Sequence, residues 1–176
     1  MLLLIISFLV IAAYTAAVCI KAKGVPYSIS ATYYAIEHKG WFRFTMWACP
    51  MVLMPVILEV SKPGTEFLAY LALAGMIVVG CFPDYKADKF QYRGHIAGAM
   101  MAILFSQIWM SLNLWPMLFV WLTYIGYAAL NIAKEKEGTF WYKFYQSKPM
   151  FWIEISSLVA VYLCVLILSL IHISEP

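Results

Sequence analysis

Apolar residues fill six stretches of this chain almost without interruption: 1–20, 41–60, 67–82, 95–113, 116–133, and from Met150 onward. Short charged segments separate them. Runs of roughly 16 to 20 apolar residues have the length of helices that cross a bilayer, where backbone polar groups must be satisfied within the helix itself. The pattern predicts an all-α fold, a single-domain polytopic bundle of six transmembrane helices over residues 1–167. The first run sits where a signal peptide would, but no basic residue precedes it and no convincing cleavage site lies before Lys21, so it reads as a retained span. Pro50 and Pro55 remove backbone donors from the second run and predict a kinked or locally unwound helix. In the long loop before that run, Pro26 followed by Ser28 reads as a helix start with a hydroxyl cap. Ser28, Ser30 and Thr32 make it rich in hydroxyls, and Tyr33 and Tyr34 suit a short helix at the headgroup level. Pro63-Gly64 marks a tight turn, and Pro116 suits the first turn of the fifth helix.

Composition sharpens this picture. Of 176 residues, 64% are hydrophobic and 12% charged, and mean hydropathy is +0.82. A soluble domain carries about 25% charged residues, so this chain has too little polar surface to face water all round. Eleven of the twelve Lys and Arg fall in loops on one side of the predicted bundle, and Lys62 alone falls on the other. Under the positive-inside rule, loops 21–43, 83–94 and 134–149 are cytoplasmic and both termini lie outside, in a bacterial-type inner membrane. Four cysteines (Cys19, Cys49, Cys81, Cys164) without a CxxC pair argue against a disulfide framework or zinc site. The sequence holds no GxSxG, HExxH or P-loop. With His172 set aside for the reason given below, only His38 and His95 remain, one pair for a haem that takes two axial ligands. No cofactor and no metal is expected.

Ionisable residues in or beside spans are costly and are functional candidates by default. Here they are Asp84 at the end of the third span, His95 opening the fourth, Glu154 about one turn into the sixth, and Arg43 opening the second. All fall at the cytoplasmic end of the predicted bundle, where they form a candidate ligand or proton site. His95, Ala99, Ala102 and Ser106 share one helix face, so the histidine stands over small side chains that leave room for a ligand or water chain. The plainer expectation is that His95 pins the loop by bonding Asp84, that Glu154 pairs with Lys148 or Arg43, and that Asp84 after Pro83 shapes the loop. Gly94, Gly98 and Ala102 form a small-residue ridge for close helix packing. The tryptophans read mainly as an interfacial belt, and Phe140 to Tyr145 as a segment on the inner membrane surface in contact with anionic lipid.

Gly80-x-Phe82-Pro83-Asp84, then ten residues, then His95-x-x-Gly98-Ala99 resembles the signature of a six-helix prokaryotic integral membrane family of unknown function. That family is distantly similar to FRAG/DRAM-type proteins. The resemblance implies a six-helix fold and a membrane location; it implies no activity. Residues 168–176 resemble a translated sequencing adapter, which implies a non-native tail on a chain assembled from metagenomic reads. His172 and Glu175 therefore carry no functional weight.

The expected function is that of a non-enzymatic membrane protein binding or conducting a small ligand, lipid or proton through a cytoplasmic-side polar pocket. Two alternatives stay open: a membrane-embedded lipid-modifying hydrolase with His95, Asp84 and Glu154 around a metal, and a structural or partner-binding subunit docking through the Gly94–Gly98–Ala102 ridge. The expected partners are the lipid bilayer and a small ligand or lipid. A homo-oligomer stays open, and nothing points to nucleic acid.

Overall fold

The computed structural model describes residues 1–134 and 137–174. Among these the regular structure is all helical: α1 (Leu2–Lys21), α2 (Gly40–Glu59), α3 (Glu66–Cys81), α4 (Lys89–Leu114), α5 (Val120–Lys134), α6 (Phe140–Gln146) and α7 (Pro149–Ser174), with short 3-10 segments at Ser30–Tyr34 and Trp115–Phe119. Four stretches are long and apolar enough to cross a membrane, namely α1, α2, the continuous run Lys89–Lys134, and α7. The helix α3 is apolar but shorter.

The run Lys89–Lys134 is not one rod. Leu114 leaves helical geometry (φ −150°, ψ 74°) ahead of Pro116, which lacks an amide donor. Beyond the break, the Trp121 indole donates to Gln107 Oε1 at 2.9 Å. In a straight helix those fourteen positions would lie about 21 Å apart along the axis, so the chain turns back at the break, and α5 packs against α7.

Cross-links between loops define two ends of the bundle. At one end, segment 25–36 meets the α3–α4 loop through Tyr34 and Asp84, and meets the start of α7 where the Phe151 amide donates to the Tyr27 carbonyl. At the other end, Asn113 Oδ1 accepts from the Lys62 amide, and the buried Trp109 donates its indole N–H to Ser61. Trp109 thus belongs to the core and not to an interfacial belt, whereas Trp41, Trp115 and Trp141 are exposed.

Several boundaries differ from the sequence pattern. The fourth helix starts at Lys89, not at His95, because Asp88 caps it by accepting from the Phe90 and Gln91 amides. α2 passes through Pro50 and Pro55 without unwinding. Ser28 does cap a turn, accepting from the Ala31 amide, but the turn is a five-residue 3-10 segment. Its Tyr33 is only 4% exposed, packed edge-on against Phe42. α7 stays helical through Ser174, so part of the adapter-like tail is helix, while Glu175 and Pro176 lie outside the described residues.

The closest helix pair is α3 with α4, and glycine is the reason. A Cβ on Gly75 would lie 2.4 Å from the Ala102 amide, and one on Gly98 would lie 2.9 Å from the Gly75 carbonyl. Gly94 is filled from across by the Phe82 ring. The small-residue ridge is therefore spent on α3 inside the bundle, and offers no free face for a docking partner.

Candidate functional site

The structure separates the four sequence candidates into three roles. His95 is buried in the second turn of α4, with Nδ1 2.8 Å from the Phe82 carbonyl. A carbonyl only accepts, so Nδ1 carries the proton and the ring caps the C-terminal end of α3. It does not bond Asp84. Asp84 instead accepts from the Tyr34 hydroxyl at 3.0 Å, and that hydroxyl accepts in turn from the Lys86 amide at 2.8 Å. Arg43 is exposed, and the salt bridge found among the described residues joins Lys21 to Glu37 instead. Glu37 is held below the usual carboxylate range by the hydrogen bond and charge of that lysine.

Glu154 pairs with neither Lys148 nor Arg43. It projects from α7 and accepts from the Ile29 amide, from the Ser30 amide, and from Ser30 Oγ at 3.3 Å. Lys148 donates to the Val25 carbonyl instead. Segment 25–36 is thereby fastened from several directions, with Thr32 and Tyr14 hydroxyls 2.5 Å apart on the α1 side. It forms a strap folded into one end of the bundle, and its buried residues Ser28, Ile29, Thr32 and Tyr33 are core, not loop surface.

Tyr85 joins these separate parts. Its ring lies 4.7 Å from the His95 ring and 5.2 Å from that of Tyr34. Burial raises its phenol above the ordinary tyrosine range, and the nearby Glu154 charge adds to that. Asp84, Tyr34, Tyr85 and His95 thus make a tyrosine-linked belt beside the strap. The sequence pattern marked Tyr34 only as a headgroup-level aromatic, and it missed Tyr85 and the Ile29 amide. The tyrosines resemble ordinary interfacial aromatics in sequence, and a backbone donor has no sequence signal at all.

No family model, curated protein or solved structure matches this chain. What the site can do must come from its own geometry.

Beneath the strap lies a cavity of about 110 Å³ in the bundle interior. Its walls come from α1, α2, α3, α4, α7 and the strap, and are mostly aliphatic: Ile11, Leu53, Ile57, Leu73, Val79, Leu158 and Val161 among them. The polar groups on the wall are Ser30, Glu154, Ser106, Ser157 and Tyr162. Ala99, Ala102 and Ser106 from the predicted helix face do line it; His95 above them does not. Ser157 is engaged by Gln107 Nε2 at 2.9 Å, and Tyr162 lies 2.6 Å from Ser7 Oγ and 2.9 Å from Cys49 Sγ. A carboxyl group offers about four acceptor positions. Ile29 and Ser30 engage three of Glu154's, which leaves one for a molecule in the cavity. Among the described residues no group of three or more His, Cys, Asp or Glu is placed to hold a metal ion. The metal-dependent hydrolase lacks its ligand set there.

Proposed function

We propose that this chain is a non-enzymatic, six-span integral membrane protein that binds a small, largely apolar ligand in the cavity beneath the strap. The ligand's hydrogen-bond donor faces Glu154. One observation carries the reading: a single carboxyl group on the wall of an otherwise aliphatic cavity. An apolar pocket favours an apolar body through burial, and an acceptor there fixes the orientation of a donor group. Small size favours a small molecule or the end of a lipid chain over a whole lipid. Proton passage would use the same carboxyl group.

The membrane arrangement belongs to the same proposal. In this reading the break at Leu114 divides the run Lys89–Lys134 into two legs, so that the four long apolar stretches count as five, and α3 is the sixth. The three lysine-rich loops gather at one bundle end, which the positive-inside rule puts in the cytoplasm with both termini outside. Membership of the six-helix prokaryotic family rests on Gly80, Phe82, Pro83 and His95. In the fold these residues form the α3–α4 junction, with His95 closing the end of α3.

The test is thermal unfolding of the protein in nanodiscs with n-butylamine, n-butanol and n-butane as probes. Stabilisation is expected to be greatest for the amine, to lose that preference in Glu154→Gln, and to vanish for all three in the cavity-filling Ala102→Leu. Equal stabilisation by the three probes in wild type and Glu154→Gln would remove the carboxyl group from the site.

A further inference from the structure

A second cavity, of about 490 Å³, opens on the exposed side of α1 and α2, beside the loop that joins them. One stripe of α1 makes its floor: Val10, Ala13, Tyr14, Ala17 and Val18 recur at three- and four-residue spacing, and Lys21 continues the stripe to the end of the helix. Trp41 and Phe44 of α2 stand along the other side, both more than half exposed. Ala13 and Ala17 are exposed as well, so their small side chains leave a trough. From Val10 to Lys21 the trough rises about 16 Å along the helix. That is close to the hydrocarbon depth of one leaflet, about 15 Å.

The chemistry changes at the Lys21 end, where Lys21, Glu37 and His38 border the opening. The Lys21 ammonium gives one of its three donors to Glu37 Oε1 at 2.9 Å. The two side chains are 47% and 81% exposed, and an ion pair so open to solvent holds its partners only weakly. The mouth thus presents both signs of charge at the end of an apolar trough. A purely anionic head would meet Glu37, and a purely cationic one would meet Lys21. A head carrying both charges can set a phosphate against Lys21 and His38 and an ammonium against Glu37. The carboxylate also chooses between ammonium types. A primary ammonium has three N–H groups to give it, and a trimethylated one has none.

We infer that this groove holds a phosphatidylethanolamine molecule, with an acyl chain along the α1 stripe and the headgroup on Lys21 and Glu37. The inference rests on the membrane reading proposed above. It is independent of the cavity beneath the strap and stands whether or not that cavity binds a ligand.

The experiment is native mass spectrometry of the full chain released from nanodiscs holding equal parts of phosphatidylethanolamine, phosphatidylcholine and phosphatidylglycerol. Wild type is expected to retain phosphatidylethanolamine about tenfold over each of the others, the scale of one hydrogen bond to a charged group. Glu37→Gln leaves Lys21 unopposed, and the preference is expected to pass to phosphatidylglycerol. The double variant Ala13→Leu/Ala17→Leu fills the trough at exposed positions, keeps the ion pair, and is expected to lose the retained phosphatidylethanolamine. Lys62→Gln, at the far end of the bundle, is expected to behave as wild type. Equal retention of the three lipids by wild type, or an unchanged preference in Glu37→Gln, would overturn the inference. An unchanged preference in the double variant would mean that a headgroup binds without its acyl chain, and would overturn it as well. These outcomes leave the membrane reading standing, whereas a chain that does not enter nanodiscs would overturn both.

Discussion

Tyr34 shows what a single side chain does here. Its hydroxyl spans from Asp84 to the Lys86 amide and so ties the strap to the α3–α4 loop. Burial pushes its phenol up to about 12, and the Asp84 bond and charge add to the rise while the Lys86 amide opposes it. The folded state favours the protonated phenol, so this contribution to stability is complete below pH 10 and is lost as pH climbs through 12. In an absorbance titration, Tyr34→Phe should remove one late-ionising tyrosine, and in neutral buffer it should cost about 1 kcal/mol. An unchanged titration curve would mean that the phenol is not held in this network. At this scale the sequence was half legible. Ionisable residues near span ends stood out because the membrane makes them expensive. Their partners did not, since Glu154 bonds a segment some 125 positions away, partly through a main-chain amide.

The helices themselves were more legible, because apolar length alone fixes them. Packing between them depends on details that periodicity blurs. The Gly94–Gly98–Ala102 ridge was visible, but not that Gly75 on α3 faces it. Gly75→Ala should push α3 from α4 and destabilise the protein by ~1–3 kcal/mol, because the new methyl meets backbone and not a movable side chain. Gly126→Ala on α5 meets nothing within 4 Å. It should be neutral or stabilising by up to about 1 kcal/mol, from helix propensity. Thermal unfolding of both variants in one detergent checks the pair, and equal losses would sink this account of α3–α4 packing. The start of α4 was misread for a related reason: Lys89 to Gly94 is polar, so hydropathy ended where the capped helix does not.

For the whole molecule, two opposed bundle ends follow from loop contacts as well as from charge. In a background with Cys19 and Cys81 replaced by serine, Lys86→Cys and Lys134→Cys should react with a membrane-impermeant maleimide from one side, and Lys62→Cys from the other. Lys134→Cys reacting together with Lys62→Cys would remove the antiparallel reading of α4 and α5 as separate crossings. The charge asymmetry was plain in the sequence; the inward fold of the first loop was not, because its hydroxyls and tyrosines suited a surface helix equally well. That loop has a consequence for how the protein is made. Residues 25–36 emerge early in synthesis, yet Glu154, Phe151 and Lys148, which hold them, are made more than a hundred residues later. Until α7 has been inserted, the first loop has only its neighbours to settle on. The mouth of the cavity is therefore among the last parts to close, and a ribosome stalled before α7 would leave a bundle whose amides at Ile29 and Ser30 still face water.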